Sequence, residues 1–209
     1  MMTMIDHDEP AASARGALFD FDLSPNGRTG AERRPRMRSR ATGLAPLDAG
    51  CAPLLTSWLN DSDVYFPMGD VDPRPFTVED GKRYVESHLK DTWAVVAEGP
   101  ENVWTPVGYA GMFVRSRHRV GIFRIAIGNP AARGQGHGYR ATRLMLKWAF
   151  DELDLHCVHL SVSAANTRAV ALYKKVGFVE CGRYRESRWE DGVRHDEIVM
   201  EVLRGSVRP

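Results

Sequence analysis

The chain has 209 residues and a formal net charge of +1, with 43% hydrophobic and 26% charged residues. This balance is typical of a globular protein and excludes a strongly basic nucleic-acid binder, and no segment is apolar enough to span a membrane. The three cysteines, Cys51, Cys157 and Cys181, form no CxxC pair, so we expect no metal site and a reducing, cytoplasmic location.

The first 36 residues differ in composition from the rest of the chain. They are rich in Ala, Arg, Gly, Asp and Pro, which predicts a disordered N-terminal arm. The acidic start lacks the apolar core of a signal peptide. We therefore predict an arm over residues 1–36 and a folded domain over residues 37–205, with the alternative that Met37 is the real start of the protein.

The domain begins with a strand and two helices. Residues 37–47 are predicted to form one strand, after which Asp48 caps a helix with apolar positions at helical spacing. A long irregular connection over residues 61–76 follows. Thr77 and Asp80 then have the spacing of a capping box, which predicts the start of a second helix.

Strands dominate the second half of the domain. Three strands with turn-like connections indicate an antiparallel meander, and a long helix with one apolar stripe follows over about residues 138–153. A further strand, a short helix ended by Gly177, and two strands around the hairpin signal Asp191-Gly192 complete the pattern. The predicted fold is α/β, a mixed sheet of about six to seven strands with helices on both faces.

Three glycines at alternate positions, Gly134, Gly136 and Gly138, lead into the long helix. A strand, a glycine-rich loop and a helix N-terminus form a general anion site, because free backbone N–H groups and the helix dipole point at the ligand. The spacing fits neither the Walker loop nor the dinucleotide fingerprint. The loop therefore predicts a diphosphate site built mainly from backbone groups.

Two motifs identify a family resemblance. Residues 133–138, RGQGHG, match the Arg/Gln-x-x-Gly-x-Gly/Ala signature of the GNAT superfamily of N-acetyltransferases, and residues 166–178, NTRAVALYKKVGF, resemble its second signature. Residues 183–203 are similar to the last hairpin of the branch with ribosomal-protein N-terminal and polyamine or antibiotic acetyltransferases. The resemblance covers about residues 37–203 and implies a GNAT-like sheet with a splay between its fourth and fifth strands.

The resemblance also implies an acetyl-CoA donor. Its diphosphate should lie on the backbone N–H groups of residues 135–139, and its pantetheine arm should pair with the strand edge at residues 125–127, where an N–H would polarise the thioester carbonyl. Arg140 either strengthens this binding or is an ordinary surface arginine, and Asn166 contacts the donor, caps a helix, or does both. The expected acetyl-CoA contacts are Ile125, Ala126, Ile127, Arg133, Gly134, Gln135, Gly136, His137, Gly138, Tyr139, Arg140 and Asn166.

Tyr173 matches the family's usual general acid, which protonates the departing CoA thiolate; the alternative is a packed aromatic. The base that deprotonates the amine is not identified. The position that often holds a glutamate in acetyltransferases of protein N-termini is Ser161 here, which weakens a protein-acceptor interpretation. The candidate bases, each also interpretable as a surface or structural group, are Asp61, Asp63, Glu98, His118 and His159.

The resulting hypothesis is an acetyl-CoA-dependent N-acetyltransferase acting on a primary amine of a small molecule rather than of a protein. One alternative is an aminoacyltransferase supplied by charged tRNA, which the basic residues of the arm and of the last hairpin favour and the intact diphosphate loop disfavours. Another is a non-catalytic acyl-CoA sensor, which Tyr173 disfavours. The sequence leaves open the acceptor, the length of the acyl group and a homodimer.

Overall fold

The computed structural model describes residues 35–64, 75–190 and 192–207. Most of the predicted arm, much of the predicted irregular connection and Asp191 lie outside this part of the chain. The strands are β1 (Met37–Ser39), β2 (Thr42–Pro46), β3 (Thr92–Glu98), β4 (Trp104–Arg115), β5 (Val120–Ala126), β6 (Cys157–Ser163), β7 (Val179–Glu190) and β8 (Val193–Leu203). The principal helices are α1 (Ala52–Leu59), α2 (Val78–Ser87), α3 (His137–Lys147) and α4 (Thr167–Val176).

The strands form one mixed sheet of eight in the order β1-β2-β3-β4-β5-β6-β8-β7. This confirms the predicted α/β fold with one strand more than expected. Residues 37–47 form two strands instead of one, because the backbone turns at Arg40, which has a left-handed φ of 52°, and Ser39 then pairs with Thr42. Arg36, placed in the arm by composition, already donates its backbone N–H to the carbonyl of Leu44.

The predicted splay lies between β5 and β6, the single parallel pair in this sheet. Pairing joins Val120 to Cys157, Gly121 to Val158 and Ile122 to His159, and ends there. Both strands continue beyond this point, β5 to Ala126 and β6 to Ser163. The far half of β5 therefore keeps its pairing with β4 and presents an open edge toward β6.

Helices cover both faces of the sheet, as predicted. One core contains buried residues of α3 and α4, such as Met145 and Tyr173, packed with Val95 of β3. The other contains Leu55 of α1 and residues of α2, packed with the neighbouring Ala94 of β3. Because consecutive strand residues point to opposite faces, one strand supplies both cores. No helix within the described residues is long and apolar enough to cross a membrane.

Two tyrosine hydroxyls are buried in the core under α1 and α2. The hydroxyls of Tyr84 and Tyr109 have no hydrogen-bond partner within the described part of the chain. Burial raises the pKa of both phenols, so both stay neutral over the ordinary pH range. A buried hydroxyl without a partner destabilises the folded state, because unfolding returns the hydroxyl to water.

We expect Tyr109→Phe to raise the free energy of unfolding by about 1 kcal/mol, because it removes an unsatisfied polar group without changing the ring. Urea unfolding of both proteins measures the difference. The matched control is Tyr184→Phe, since Tyr184 is 60% exposed and its hydroxyl already has access to water. A loss of stability in Tyr109→Phe would show that the hydroxyl is hydrogen-bonded in solution.

Candidate active site

The glycine loop after β5 forms a concave backbone turn. Gly134 and Gly136 have left-handed φ angles of +78° and +81°, a region that glycine adopts without steric strain. Gly136 is the N-cap residue of α3, and no side chain in the described residues caps this helix. The first N–H groups of α3 therefore lack intrahelical acceptors, which leaves them available to an anion; the predicted diphosphate contact stays a prediction.

Arg133 ties the loop to the segment that follows α1. Its guanidinium donates to Asp63 Oδ2 at 2.6 Å and to Asp61 Oδ2 at 2.7 Å. It also donates to the backbone carbonyls of Ile127 and Gly128, both at 3.0 Å. The Arg133 side chain thus shapes the loop, and its predicted contact with acetyl-CoA stays a prediction.

The ion pairs with Arg133 affect how readily Asp61 and Asp63, two of the candidate bases, accept a proton. The hydrogen bond from Arg133 holds the pKa of Asp61 below its ordinary value of 3.8. A carboxylate with a lowered pKa accepts a proton less readily, and Asp63 is engaged by the same guanidinium. Both carboxylates therefore fit a structural role better than that of the base.

Asp61→Asn should lower stability by about 1 kcal/mol at neutral pH, and this difference should disappear in acid. A carboxyl whose pKa is lowered by folding contributes stability above its unfolded pKa, and that contribution is lost as the pH falls through the folded pKa. Melting temperatures of both proteins from about pH 2 to pH 7 measure this. The control is Glu79→Gln, which breaks the exposed pair with Lys82 and should change little. A pH-independent difference would contradict the ion-pair explanation.

Arg140 is held over the loop by two hydrogen bonds. Its Nε donates to Thr42 Oγ1 at 2.7 Å and its Nη2 donates to the carbonyl of Gln135 at 2.8 Å. Thr42 Oγ1 lies 2.8 Å from His137 Nδ1, and burial followed by the Arg140 charge lowers the pKa of His137. The ring of His137 is buried and bonded to Thr42, so its backbone N–H is the part of the residue left for a ligand.

The N-terminus of α4 lies beside the same loop. A side chain at Gly138 would come 3.3 Å from Leu172 Cδ1 and 3.7 Å from Ile127 Cγ1, so the end of β5, the loop and α4 converge there. Arg168 Nη2 lies 3.7 Å from where a Gly134 side chain would begin. Arg168 adds a second guanidinium to the loop, and sequence reasoning missed it.

Tyr139, predicted to contact the donor, packs between the two helices. Lys175 Nζ lies 4.9 Å and Arg143 Cζ 5.9 Å from the centre of its ring. The ring is half-buried, so it fixes α3 against α4 beside the loop. Tyr139 therefore contributes a backbone N–H to the helix start and a side chain to the scaffold.

Asn166 and Tyr173 occupy the first and last turns of α4. Asn166 Oδ1 accepts the N–H of Ala169 at 3.1 Å, which confirms the helix-cap role; contact with the donor stays a prediction. Tyr173 is 8% exposed and packs edge-on against Phe178, with ring centroids 5.6 Å apart. Burial raises the pKa of Tyr173 to about 12, so the phenol carries its proton at neutral pH, as a general acid must.

The remaining candidate bases, Glu98, His118 and His159, occupy different places relative to the splay between β5 and β6. His118 is in the turn before β5, at the opposite end of that strand from the open edge, and Glu98 ends β3. His159 is the residue where β5–β6 pairing ends, and exposed Ser161 follows it on the same face. His159 Nε2 lies 3.8 Å from Glu201 Oε2, so its ring is directed at β8. No base is assigned by this geometry.

An eight-stranded mixed sheet opened between two parallel strands, with a glycine loop at the adjacent helix start, is the architecture that the resemblance to GNAT acetyltransferases implied. Residues 43–179 match the family model described as "Acetyltransferase (GNAT) domain". The chain therefore belongs to the GNAT acetyltransferase family, which confirms the resemblance seen in its two motifs.

Curated relatives match over part of their length. Spermidine N(1)-acetyltransferase of Vibrio cholerae is 34% identical over 87 residues, which are 42% of this chain and 50% of that protein. The Escherichia coli K12 enzyme of the same name is 36% identical over 87 residues, 42% of this chain and 46% of that protein. The Bacillus subtilis protein YdaF, a candidate ribosomal N-acetyltransferase, is 30% identical over 71 residues, 34% of this chain and 39% of that protein. These matches span half the length of the curated relatives or less.

Solved structures match the fold over most of the chain. Spermidine N-acetyltransferase from Vibrio cholerae in complex with CoA and spermine gives a TM-score of 0.70 at 23% identity, over 80% of this chain and 98% of that one. A GNAT-family acetyltransferase from Bacillus anthracis gives 0.67 at 20% identity, over 81% and 98%. At this level of identity the similarity shows the fold alone.

Proposed function

We propose that the chain transfers an acetyl group from acetyl-CoA to a primary amine of a small molecule, by direct attack of the amine on the thioester. The observation that carries the proposal is the uncapped start of α3, with its two left-handed glycines, next to the open edge of β5. A diphosphate requires such a set of backbone donors, and an extended pantetheine arm requires such an edge.

The positive charges near the loop support a donor rich in phosphate. Arg140 is fixed over the loop by Thr42 and the carbonyl of Gln135, and Arg168 reaches Gly134 from α4. Neither Arg140 nor Arg168 forms an ion pair with a carboxylate of the described residues. Two guanidiniums that are not neutralised by the protein complement the backbone N–H groups as partners for phosphate oxygens.

The open edge of β5 supports the placement of the thioester. Ile125 and Ala126 belong to the stretch of β5 that no longer pairs with β6, and Ile127 directly follows it. The carbonyl of Ile127 is already bonded to Arg133, but backbone groups of Ile125 and Ala126 that do not bond to β4 are open to the amides of the pantetheine arm. An N–H of this edge would then polarise the thioester carbonyl and stabilise the oxyanion that forms on attack.

The transfer needs one proton removed and one supplied. The neutral amine attacks the carbonyl carbon, the C–N bond forms, and the C–S bond breaks to release CoA thiolate. Tyr173 supplies a proton to that thiolate, and its phenol, whose pKa burial raises to about 12, is protonated beforehand. The amine loses its proton to water or to a base, and none of the candidate bases is assigned this role.

A small-molecule amine is the proposed acceptor class. Two curated relatives carry the name spermidine N(1)-acetyltransferase, which makes polyamines the first acceptors to test. Ser161 stands where acetyltransferases of protein N-termini often have a glutamate, as the sequence indicated, and the structure places it on an exposed position of β6. Without that carboxylate, a peptide acceptor has less support.

Two measurements test the proposal together. Melting temperatures with CoA, acetyl-CoA and tRNA show which ligand binds the folded state, since a bound ligand stabilises it by mass action. Release of free thiol from acetyl-CoA is then followed with spermidine, spermine, other small amines and peptides. We expect stabilisation by CoA and acetyl-CoA and thiol release with a small amine. Stabilisation by tRNA alone would favour the aminoacyltransferase hypothesis, and binding of acetyl-CoA without amine-dependent thiol release would favour the sensor.

A further inference from the structure

Three metal-binding side chains meet on the sheet face opposite α3 and α4. Cys157 and His159 are two residues apart on β6 and point to this face, while Val158 and Leu160 point to the core. Glu201 of β8 is paired directly with His159. The thiol sulfur, an imidazole nitrogen and a carboxylate oxygen of these residues all lie within 4.8 Å of one another.

The spacing of these atoms is close to that of a tetrahedral metal site. Ligand atoms around Zn²⁺ lie roughly 3.3–3.8 Å apart, given metal–ligand bonds of about 2.0–2.3 Å. His159 Nε2 and Glu201 Oε2 are already 3.8 Å apart. The antiparallel pairing of β6 and β8 fixes the three backbone positions, so only small rotations of the side chains are needed to bring the three ligand atoms to one ion.

The charges of the cluster also fit a divalent cation. Glu201 pairs with no Lys or Arg of the described residues, and its one ionic partner there is His159. A divalent ion would balance one thiolate and one carboxylate, with a neutral imidazole as third ligand, and would displace the thiol proton into solvent.

We propose that Cys157, His159 and Glu201 bind one Zn²⁺-type transition-metal ion, with a fourth position open to water. A set of one sulfur, one nitrogen and one oxygen ligand is typical of Zn²⁺ and excludes Mg²⁺ or Ca²⁺ as preferred ions. The ion joins β6 to β8 beside the point where β5–β6 pairing ends. The ion site does not rest on the proposed acetyl transfer, and a His159 bound to metal would not serve as the base of that reaction.

Cys181 provides a matched control. It is an exposed thiol on β7, and its Sγ lies 3.5 Å from the carbonyl oxygen of Val199. Its neighbour Glu180 pairs with Met200, the residue before Glu201, so Cys181 lies in the same part of the sheet but outside the cluster of three. A metal bound unspecifically by accessible thiols would depend on Cys181 more than on buried Cys157.

The test is Co²⁺ titration of the full chain without an affinity tag, after removal of metals with EDTA and under a phosphine reductant. We expect one Co²⁺ per chain, a thiolate-to-metal absorption band in the near ultraviolet, and displacement by Zn²⁺. Cys157→Ser, His159→Gln and Glu201→Gln should each weaken binding by about tenfold or more, and Cys157→Ser should remove the band. Cys181→Ser should bind as the unchanged protein does.

Three results would overturn the proposal: no thiolate band, a band retained in Cys157→Ser, or a loss in Cys181→Ser equal to that in Cys157→Ser. Melting curves of the metal-free variants establish that each is folded. Should Cys157→Ser not fold, Glu201→Gln decides the question, because Glu201 is partly exposed and the substitution keeps its shape. Unchanged Co²⁺ affinity in a folded Glu201→Gln protein would then exclude the site.

Discussion

Gly136→Ala is expected to weaken acetyl-CoA binding by about tenfold, equivalent to about 1.4 kcal/mol. Gly136 has a φ of +81°, where an alanine is strained, and its Cβ would lie 2.9 Å from Arg140 Nη1. Either the loop backbone or the guanidinium must move. Both carry donors that the proposed diphosphate site requires, so the loss should show in affinity for CoA as well as acetyl-CoA when measured by calorimetry.

The matched control for backbone strain is Gly192→Ala. Gly192 has a similar φ of +77° in the β7–β8 hairpin, and a Cβ there meets no atom within 4 Å. Both variants should lose about 1 kcal/mol of stability from the left-handed backbone, and Gly136→Ala alone should lose affinity. If Gly136→Ala binds acetyl-CoA as tightly as Gly192→Ala does, the loop is not the diphosphate site.

Features that depend on a few neighbouring residues were predicted from the sequence. The capping box at the start of α2 is present, with Asp80 N–H bonded to Thr77 Oγ1 at 3.2 Å and Thr77 N–H to Asp80 Oδ2 at 2.9 Å. Gly177 ends α4, and the hairpin signal beside Gly192 joins β7 to β8. Each of these features depends on a local backbone conformation that particular residue types favour, so the residue type alone predicts it.

Turns and helix ends were predicted less accurately where the residue that usually indicates them is missing. The turn between β1 and β2 uses Arg40 at a positive φ, without the glycine or asparagine that usually indicates such a turn. The long helix begins at His137, one residue earlier than predicted, and its end is a π-helical turn over Trp148–Glu152. A π turn has no sequence signature comparable to a cap, so the helical pattern indicated only a continuous helix.

Contacts between distant segments could not be predicted from spacing. Thr42 of β2 bonds to Arg140 from a distant part of the chain, and Asp61 and Asp63 bind Arg133 from the segment after α1. The cluster that includes Glu201 depends on the register of β6 against β8. Register is set by tertiary packing, so the absence of a CxxC motif could not exclude a metal site assembled across strands.

The largest expected effect comes from Tyr173→Phe, which should lower kcat by about 10²–10⁴-fold. The variant keeps the ring that packs edge-on against Phe178 and removes only the hydroxyl. Without the phenol, the thiolate must leave unprotonated or take its proton from water, while the groups that bind acetyl-CoA are untouched. Acetyl-CoA affinity should therefore stay unchanged while single-turnover acetyl transfer slows.

Tyr184→Phe is the control, since Tyr184 is an exposed tyrosine of β7 and should not change kcat. The pH profile gives an independent readout. An acid acts only below its pKa, and burial raises the pKa of Tyr173 to about 12, so Tyr173 should cause no alkaline fall in kcat below about pH 10. Near-full kcat in Tyr173→Phe, with chemistry shown to be rate-limiting, would leave Tyr173 as a packing residue. Acyl-CoA binding without catalysis would then gain support, because Tyr173 is the main residue that favours an enzyme over a sensor.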